Sequence, residues 1–318
     1  MNPTGPLTGR TILITGATSG IGFHTADALA RLGAKVLISG RDAVRGRAAE
    51  QQLRARASHE DVHFFQADAA TVGGNQQLAR RILAELDQLD VLVNNVGGAY
   101  EKRLETEDAY EATLAINAIG PFALTVPLLP LLAASAPARI VNVASAGHAM
   151  WKGDPFADLD ARTSYLTSQA YARAKLLNIL WAFALARRLE GSGIVANATH
   201  PGLAWTSLTA AMTPRSVPGW FRVAWPIFRW YQRRTSAEKA SRSSVFLASA
   251  PEAGRVSGMY FESNARPARP SKAALDRTYQ EKAWELMASL VANAPSANRV
   301  SPSDLFRSQS RYTHGVLQ

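Results

Sequence analysis

The sequence predicts an α/β fold: a single domain over residues 1–293, built on a doubly wound sheet of seven parallel strands flanked by helices on both faces. Three observations lead there. Short apolar runs at 12–14, 35–39, 62–66, 89–93, 138–144 and 194–199 alternate with longer stretches of helical periodicity, the pattern of a parallel sheet with crossover helices. The first run ends in a glycine-rich turn, Thr-Gly-Ala-Thr-Ser-Gly-Ile-Gly over 15–22, which opens an amphipathic segment. A chain of 318 residues with 47% hydrophobic content can bury one large core.

Each element carries its own reason. In the turn, Gly16 lets the backbone reverse tightly, Gly20 leaves room for a phosphate against the main chain, and Gly22 allows helix to pack on strand. The main chain through Thr18, Ser19 and Ile21 then offers N–H groups to an anion at a helix start, a dinucleotide-binding arrangement of Rossmann type. The second strand ends in Ser39-Gly40-Arg41, where a ribose-binding fold places an acid for NAD(H) or a base for NADP(H). No acid stands at 39 or 40, so Arg41 favours NADP(H) over NAD(H); a surface arginine before Asp42, the N-cap of the next helix, is the other reading. The third strand, 62–66, is followed by Asp68, which alone reads equally well as a turn aspartate. The fourth leads into Asn94-Asn95-Val96-Gly97.

A helical stretch over 107–132, with kinks expected around Pro121 and Pro127, places Asn117 among apolar neighbours. The fifth strand ends at Ser145, on the sheet edge where ligands bind in open parallel sheets. Tyr171 and Lys175, four apart within the helical segment 169–189, share one helix face. A helix from Ser236 to about Ser249, a strand at 259–262 and a final helix capped by Ser271 complete the domain.

This ordered set resembles the short-chain dehydrogenase/reductase family over roughly residues 8–293. The 25 residues between Ser145 and Tyr171, with His148, Met150, Trp151, Phe156 and Tyr165, resemble its retinol-dehydrogenase-like, protochlorophyllide-reductase-like branch, as do Asn178 and His200-Pro201-Gly202. The resemblance implies that Ser145, Tyr171, Lys175 and Asn117 are the catalytic set. Tyr171 exchanges the proton, Lys175 lowers its pKa and binds the nicotinamide ribose, and Asn117 holds a water in the proton path. It also implies cofactor contacts at Asp68, beside the adenine, and at Asn94, Gly97, Pro201, Gly202 and Thr206. Val96 stands where the family usually has alanine, and Ala174 where serine is frequent, changes expected to touch packing more than chemistry. The activity implied is NADP(H)-dependent interconversion of a carbonyl and an alcohol on a lipophilic or aromatic substrate. The alternatives are a non-catalytic NADPH-binding sensor and a membrane-surface binding protein.

Composition trims these readings. Zero cysteines exclude disulfides, thiolate catalysis and Cys-ligated zinc, fit a reducing cytoplasm, and leave no metal expected. The net charge of +10 comes mostly from dispersed arginines without a nucleic-acid-binding motif, so no nucleic-acid partner is expected. No signal peptide and no membrane-spanning run are read. Between Trp220 and Arg234, aromatic and basic residues mix; they suit a lid (about 204–235) over an apolar substrate, a lid that also touches a membrane surface, or core packing. Residues 294–318 read as a mobile tail. Pairing into a homo-oligomer is compatible with the family resemblance and fixed by nothing in the sequence.

Overall fold

The computed structural model describes residues 5–202 and 236–297. Strands β1 (Thr11–Ile14), β2 (Lys35–Gly40), β3 (Val62–Gln66), β4 (Val91–Asn94), β5 (Ala138–Val143), β6 (Ile194–Thr199), β7 (Tyr260–Phe261) and β8 (Pro267–Ala268) form one sheet in the order β3-β2-β1-β4-β5-β6-β7-β8. The seven expected strands pair in parallel; the eighth, two residues long, runs antiparallel to β7. It was not legible because two residues carry no periodicity, and its Pro267, lacking an N–H, suits the sheet edge.

Side chains along β1 alternate between two cores. Ile12 and Ile14 pack with Val36, Ile38, Val91 and Val93 under one helical layer, whereas Leu13 packs with Leu37 and Leu92 under the other. That period-two split explains why the strands read as unbroken apolar runs: both faces are covered. The first layer is α1 (Gly20–Arg31), α2 (Ala43–Ala57) and α7 (Ala237–Ser249); the second is α3 (Val72–Glu85), α5 (Gly120–Ala134), α6 (Thr167–Arg188) and α9 (Arg277–Asn293). Short α4 (Ala112–Leu114) precedes α5, and α8 (Lys272–Leu275) precedes α9.

Three expectations change. The stretch over 107–132 becomes helical only at Ala112: α4 continues through a π-helical turn, Ala115–Ile119, into α5, which has Pro121 near its start and Pro127 and Pro130 inside it. The segment Ala112–Ala134, with mean hydropathy 1.7 over its most apolar window, is long and apolar enough to cross a membrane by length and composition, contrary to the sequence reading; it is mostly buried within the fold. Ser271 caps α8 rather than the final helix, whose N-cap is Asp276.

Helix α9 lies across α5 and α6. Trp284 meets Phe122 edge-on and sits under the Arg188 guanidinium, while Arg187 and Arg188 both pair with Glu281. The packed chain continues past 294: Ala294 is buried, the Ser296 N–H donates to Asp108 at 2.9 Å, and the Ser296 hydroxyl accepts the Gly73 N–H at 2.7 Å. The expected tail boundary at 294 therefore falls in a docked stretch. Residues 298–318, the lid over 204–235 with its aromatic-basic part 220–234, and Thr206 lie outside the described residues.

Candidate active site

The site forms along the carboxyl edge of the sheet. At the end of β1 the chain turns through Gly16, with φ +65°, and Gly20, with φ +60°. Both angles favour glycine, and the space where a Gly20 side chain would stand is open. A Cβ on Gly22 would strike the Asn95 side chain and the Gly16 carbonyl, so helix and turn touch here.

Ser19 stands at the N-cap of α1 with extended backbone, yet its side chain makes no cap hydrogen bond. By contrast, Asp42, Thr71, Ser236 and Asp276 each close the helix that follows them. The N–H groups that begin α1 thus remain available to an anion, as a pyrophosphate requires.

Next to this turn, Thr18 lies against Gly40; a Cβ there would come within 2.6 Å of its methyl group. This close approach brings the end of β2, and Arg41 after it, beside the glycine turn. Arg41 is exposed, and Arg45, one turn into α2, reaches the Ser19 hydroxyl at 3.4 Å. The Asp68 carboxylate closes its own turn by accepting the Ala70 N–H at 2.9 Å. Arg41 and Asp68 both act electrostatically on the phenol of Tyr100, whose pKa burial raises. The sequence offered no reason to single out Tyr100.

The asparagine pair divides its work. Asn94 is 1% exposed, and its amide donates to Thr125 Oγ1 and Asn142 Oδ1, each at 2.8 Å, so its side chain braces neighbouring elements. It is Asn95 that reaches the glycine turn, donating to the Thr15 carbonyl at 2.8 Å. The Asn94 Nδ2 is thus committed to its neighbours, while its buried Oδ1 has no partner among the described residues. Gly97 opens the wall next to it: a Cβ would lie 2.8 Å from Asn117 Oδ1 and 3.1 Å from Lys175 Nζ.

Asn117 is fully buried in the π turn. Its Nδ2 donates to the carbonyls of Gly98 (2.6 Å) and Thr113 (2.7 Å), and its Oδ1 accepts the Gly98 N–H at 3.3 Å. Asn178, from α6, donates to the Asn117 carbonyl at 2.9 Å. Both amide protons of Asn117 are thus committed to main chain, leaving Oδ1 as the atom through which it could meet a water.

Tyr171 and Lys175 project from α6, and Ser145 stands beyond β5. Lys175 is 3% exposed and donates to the Val143 carbonyl at 2.8 Å; its Nζ lies 5.8 Å from the Tyr171 ring centre. Ser145 Oγ accepts the Gly147 N–H at 3.0 Å, and its hydroxyl acts on the Tyr171 phenol. Burial raises the Tyr171 phenol above its ordinary pKa, while the Ser145 bond pulls it back. Burial also pushes the Lys175 amine down to about 7. In these surroundings desolvation disfavours both charged forms, and the pull toward the phenolate comes from Ser145.

Two side chains hold the inserted segment beside this set. Arg173, two residues beyond Tyr171, donates to the carbonyls of Ala157, Asp158 and Leu159. The Tyr165 hydroxyl donates to the Tyr100 carbonyl at 2.7 Å. Pro201 and Gly202 follow β6 at the same edge, with Gly202 at φ +76°. No cluster of potential metal ligands occurs among the described residues.

Known proteins resemble this chain in sequence and fold. The family model of short chain dehydrogenases matches residues 10–216. Human retinol dehydrogenase 13 is 37% identical over 290 residues, covering 91% of this chain and 86% of that protein. Mouse polyprenol dehydrogenase is 37% identical over 286 residues, covering 88% and 83%. The Pseudomonas aeruginosa RhlG/NADP active-site complex superposes with a TM-score of 0.64 at 26% identity, covering 88% of this chain and all of that one. With the glycine turn, the sheet order and these matches in agreement, the chain belongs to the short-chain dehydrogenase/reductase family of oxidoreductases, on the side of its retinol-dehydrogenase-like members.

Proposed function

We propose that this chain is an NADP(H)-dependent oxidoreductase that interconverts a carbonyl and an alcohol on a lipophilic or aromatic substrate. The observation that carries the reading is the meeting of Ser145, Tyr171 and Lys175 beside the open start of α1. Support for a nicotinamide dinucleotide comes from the uncapped helix, the Gly20 opening and the narrow wall at Gly97. Such a cofactor supplies or accepts the hydride. The preference for its phosphorylated form rests on Arg41 and Arg45, two guanidiniums suited to a phosphate where no acid stands at 39 or 40.

In the reducing direction Tyr171 gives its hydroxyl proton to the substrate oxygen as hydride reaches the carbon, and the Ser145 hydroxyl holds that oxygen. Carbonyl, hydride and proton together make the alcohol. A phenol that burial keeps protonated at neutral pH is suited to this donor role. Lys175 replenishes the proton and steadies the phenolate left behind; burial lowers its amine to about 7, which eases release of that proton. Asn117 Oδ1 beside Lys175 is the path's outlet to water. The lipophilic substrate class draws on relatives named for retinol and polyprenol, both long isoprenoid alcohols, and on the aromatic segment 220–234. The same segment motivates a cytoplasmic protein that touches a membrane surface.

The test is NADPH consumption, and NADP reduction in parallel, over a panel of isoprenoid, long-chain and aromatic carbonyls and alcohols, with retinal and small hydrophilic aldehydes included. Turnover of lipophilic members that vanishes in Tyr171→Phe is the expected result. A preference for the hydrophilic aldehydes would remove the substrate class, and equal rates with NADH would remove the cofactor choice.

A further inference from the structure

His148 is 3% exposed and lies three residues beyond Ser145, in the short 3-10 turn Ala146–Met150. Its Nδ1 is 2.7 Å from the Ser145 carbonyl oxygen, and its Nε2 is 3.0 Å from the Ser271 main-chain nitrogen. A carbonyl can only accept and an N–H can only donate. Nδ1 therefore carries the proton and Nε2 offers its lone pair, which fixes one neutral tautomer. Burial lowers the ring's pKa and keeps it neutral. The ring packs edge-on to Tyr260 at 5.3 Å, and His200 stacks on the other side of the same tyrosine at 5.7 Å.

The Ser145 carbonyl receives two bonds from one residue, the His148 N–H at 3.2 Å and the His148 ring. Both close the turn that carries the Ser145 hydroxyl beside Tyr171, since Ser145 Oγ and the Tyr171 ring both border Gly147. The far side of the ring is tied to Ser271, the N-cap of α8, 123 residues away in the chain. The turn bearing Ser145 is thus anchored to a separate part of the fold through one imidazole.

Resting on the oxidoreductase reading, we propose that His148 is the positioning residue of Ser145: its Nδ1–H holds the serine's main chain, and its Nε2 moors that turn to the start of α8. Nothing in its role requires contact with substrate. Substitution by phenylalanine keeps ring bulk and the Tyr260 contact but removes both bonds. Asparagine loses bulk yet keeps a donor where Nδ1 stood.

The two roles predict opposite rankings. A packing role makes His148→Phe the milder change, whereas a positioning role makes His148→Asn the milder in kcat. The experiment compares both variants with the wild type on retinal and on the fastest carbonyl of the panel, with NADPH KM and thermal midpoint measured alongside. A shift of the serine by a fraction of an ångström is expected to lower kcat about ten- to a hundredfold in His148→Phe, with NADPH KM little changed and much of kcat restored in His148→Asn. Nitrogen-15 NMR of histidine-labelled protein supplies an arm independent of substrate and of turnover. It should show one histidine, absent from the His148→Asn spectrum, as the Nδ1–H tautomer at neutral pH. Wild-type kcat in His148→Phe, or a slower His148→Asn than His148→Phe, overturns the proposal, as does an Nε2–H or doubly protonated ring. Absence of any wild-type turnover instead counts against the oxidoreductase reading, and the NMR arm still decides whether the ring bridges.

Discussion

The two edges of the sheet use polar residues in opposite ways. At the amino edge, groups close on one another. Asp90 accepts from Arg10 (2.6 Å), the Thr11 N–H (2.8 Å) and Gln88 (2.8 Å), and Arg139 donates to the carbonyls of Leu247 and Ala250. At the carboxyl edge, Ser19 leaves α1 uncapped, Gly20 leaves open space, and the Ser145 hydroxyl draws the Tyr171 phenol down against the effect of burial. A cavity of about 340 Å³ nevertheless opens at the amino edge, lined by Arg10, Asp90 and Arg139 among others. Concavity by itself does not mark chemistry here; groups held in place with bonding capacity to spare do.

If that division is real, substitutions at the two edges separate activity from stability. The largest expected effect is at the carboxyl edge. Tyr171→Phe should lower kcat by about 10² to 10⁴-fold, with NADPH binding and thermal midpoint near wild type. Titration sharpens this. Because burial holds the phenol above its ordinary value near 10, reduction should run at neutral pH, where the proton to be donated is present. Oxidation needs the phenolate and should speed up as pH rises. An oxidation rate that falls between pH 7 and pH 9, in protein shown to stay folded, would contradict Tyr171 as the exchanging group.

Asp90→Ala tests the amino edge. The Thr11 N–H and Arg10 lose a buried, 2%-exposed carboxylate, which should cost about 3 kcal/mol of stability by denaturant unfolding. The kcat of the remaining folded protein should be unchanged. A loss of kcat on the scale of Tyr171→Phe would erase the distinction between the edges.

Much of the carboxyl edge was legible in the sequence, for reasons that differ by residue. Gly16, Gly20 and Gly22 announce themselves because no other residue type meets their backbone and packing demands, and Tyr171 and Lys175 because helical spacing alone puts them on one face. The roles of the asparagine pair were not legible: adjacent strand residues point to opposite faces, and only the fold tells which of Asn94 and Asn95 meets the turn. The π turn around Asn117 has no local signature, since it is stabilised by Asn178 from another helix. The His148–Ser271 bond joins positions 123 apart, and no periodicity reports such a pair. Nor does any periodicity report the upward pull of burial on Tyr171, as burial is a property of the whole packing and not of a helix face.

Arg41→Ala is the next smaller effect. Loss of a guanidinium facing a phosphate removes a charge-assisted bond, so NADPH KM should rise about ten- to a hundredfold while NADH KM stays near wild type. Arg45→Ala, further into α2, should follow in the same direction with less effect. Equal loss with both cofactors would mean that the arginines support the turn and not the phosphate.

The smallest effect isolates the contrast at two neighbouring helix starts. Asp42 accepts the N–H groups of Val44 (2.9 Å) and Arg45 (3.0 Å), satisfying the start of α2. Asp42→Ala should therefore cost about 1 kcal/mol of stability, the usual worth of a side-chain cap. Ser19 occupies the equivalent place on α1 and caps nothing, so Ser19→Ala should leave the stability of the cofactor-free protein within about 0.3 kcal/mol of wild type. With NADPH in excess, ligand binding adds stability in proportion to the logarithm of its concentration over Kd, and both variants should gain nearly the wild-type increment. A Ser19→Ala protein as destabilised as Asp42→Ala would show that α1 is closed in solution after all, and that its first N–H groups are not waiting for an anion.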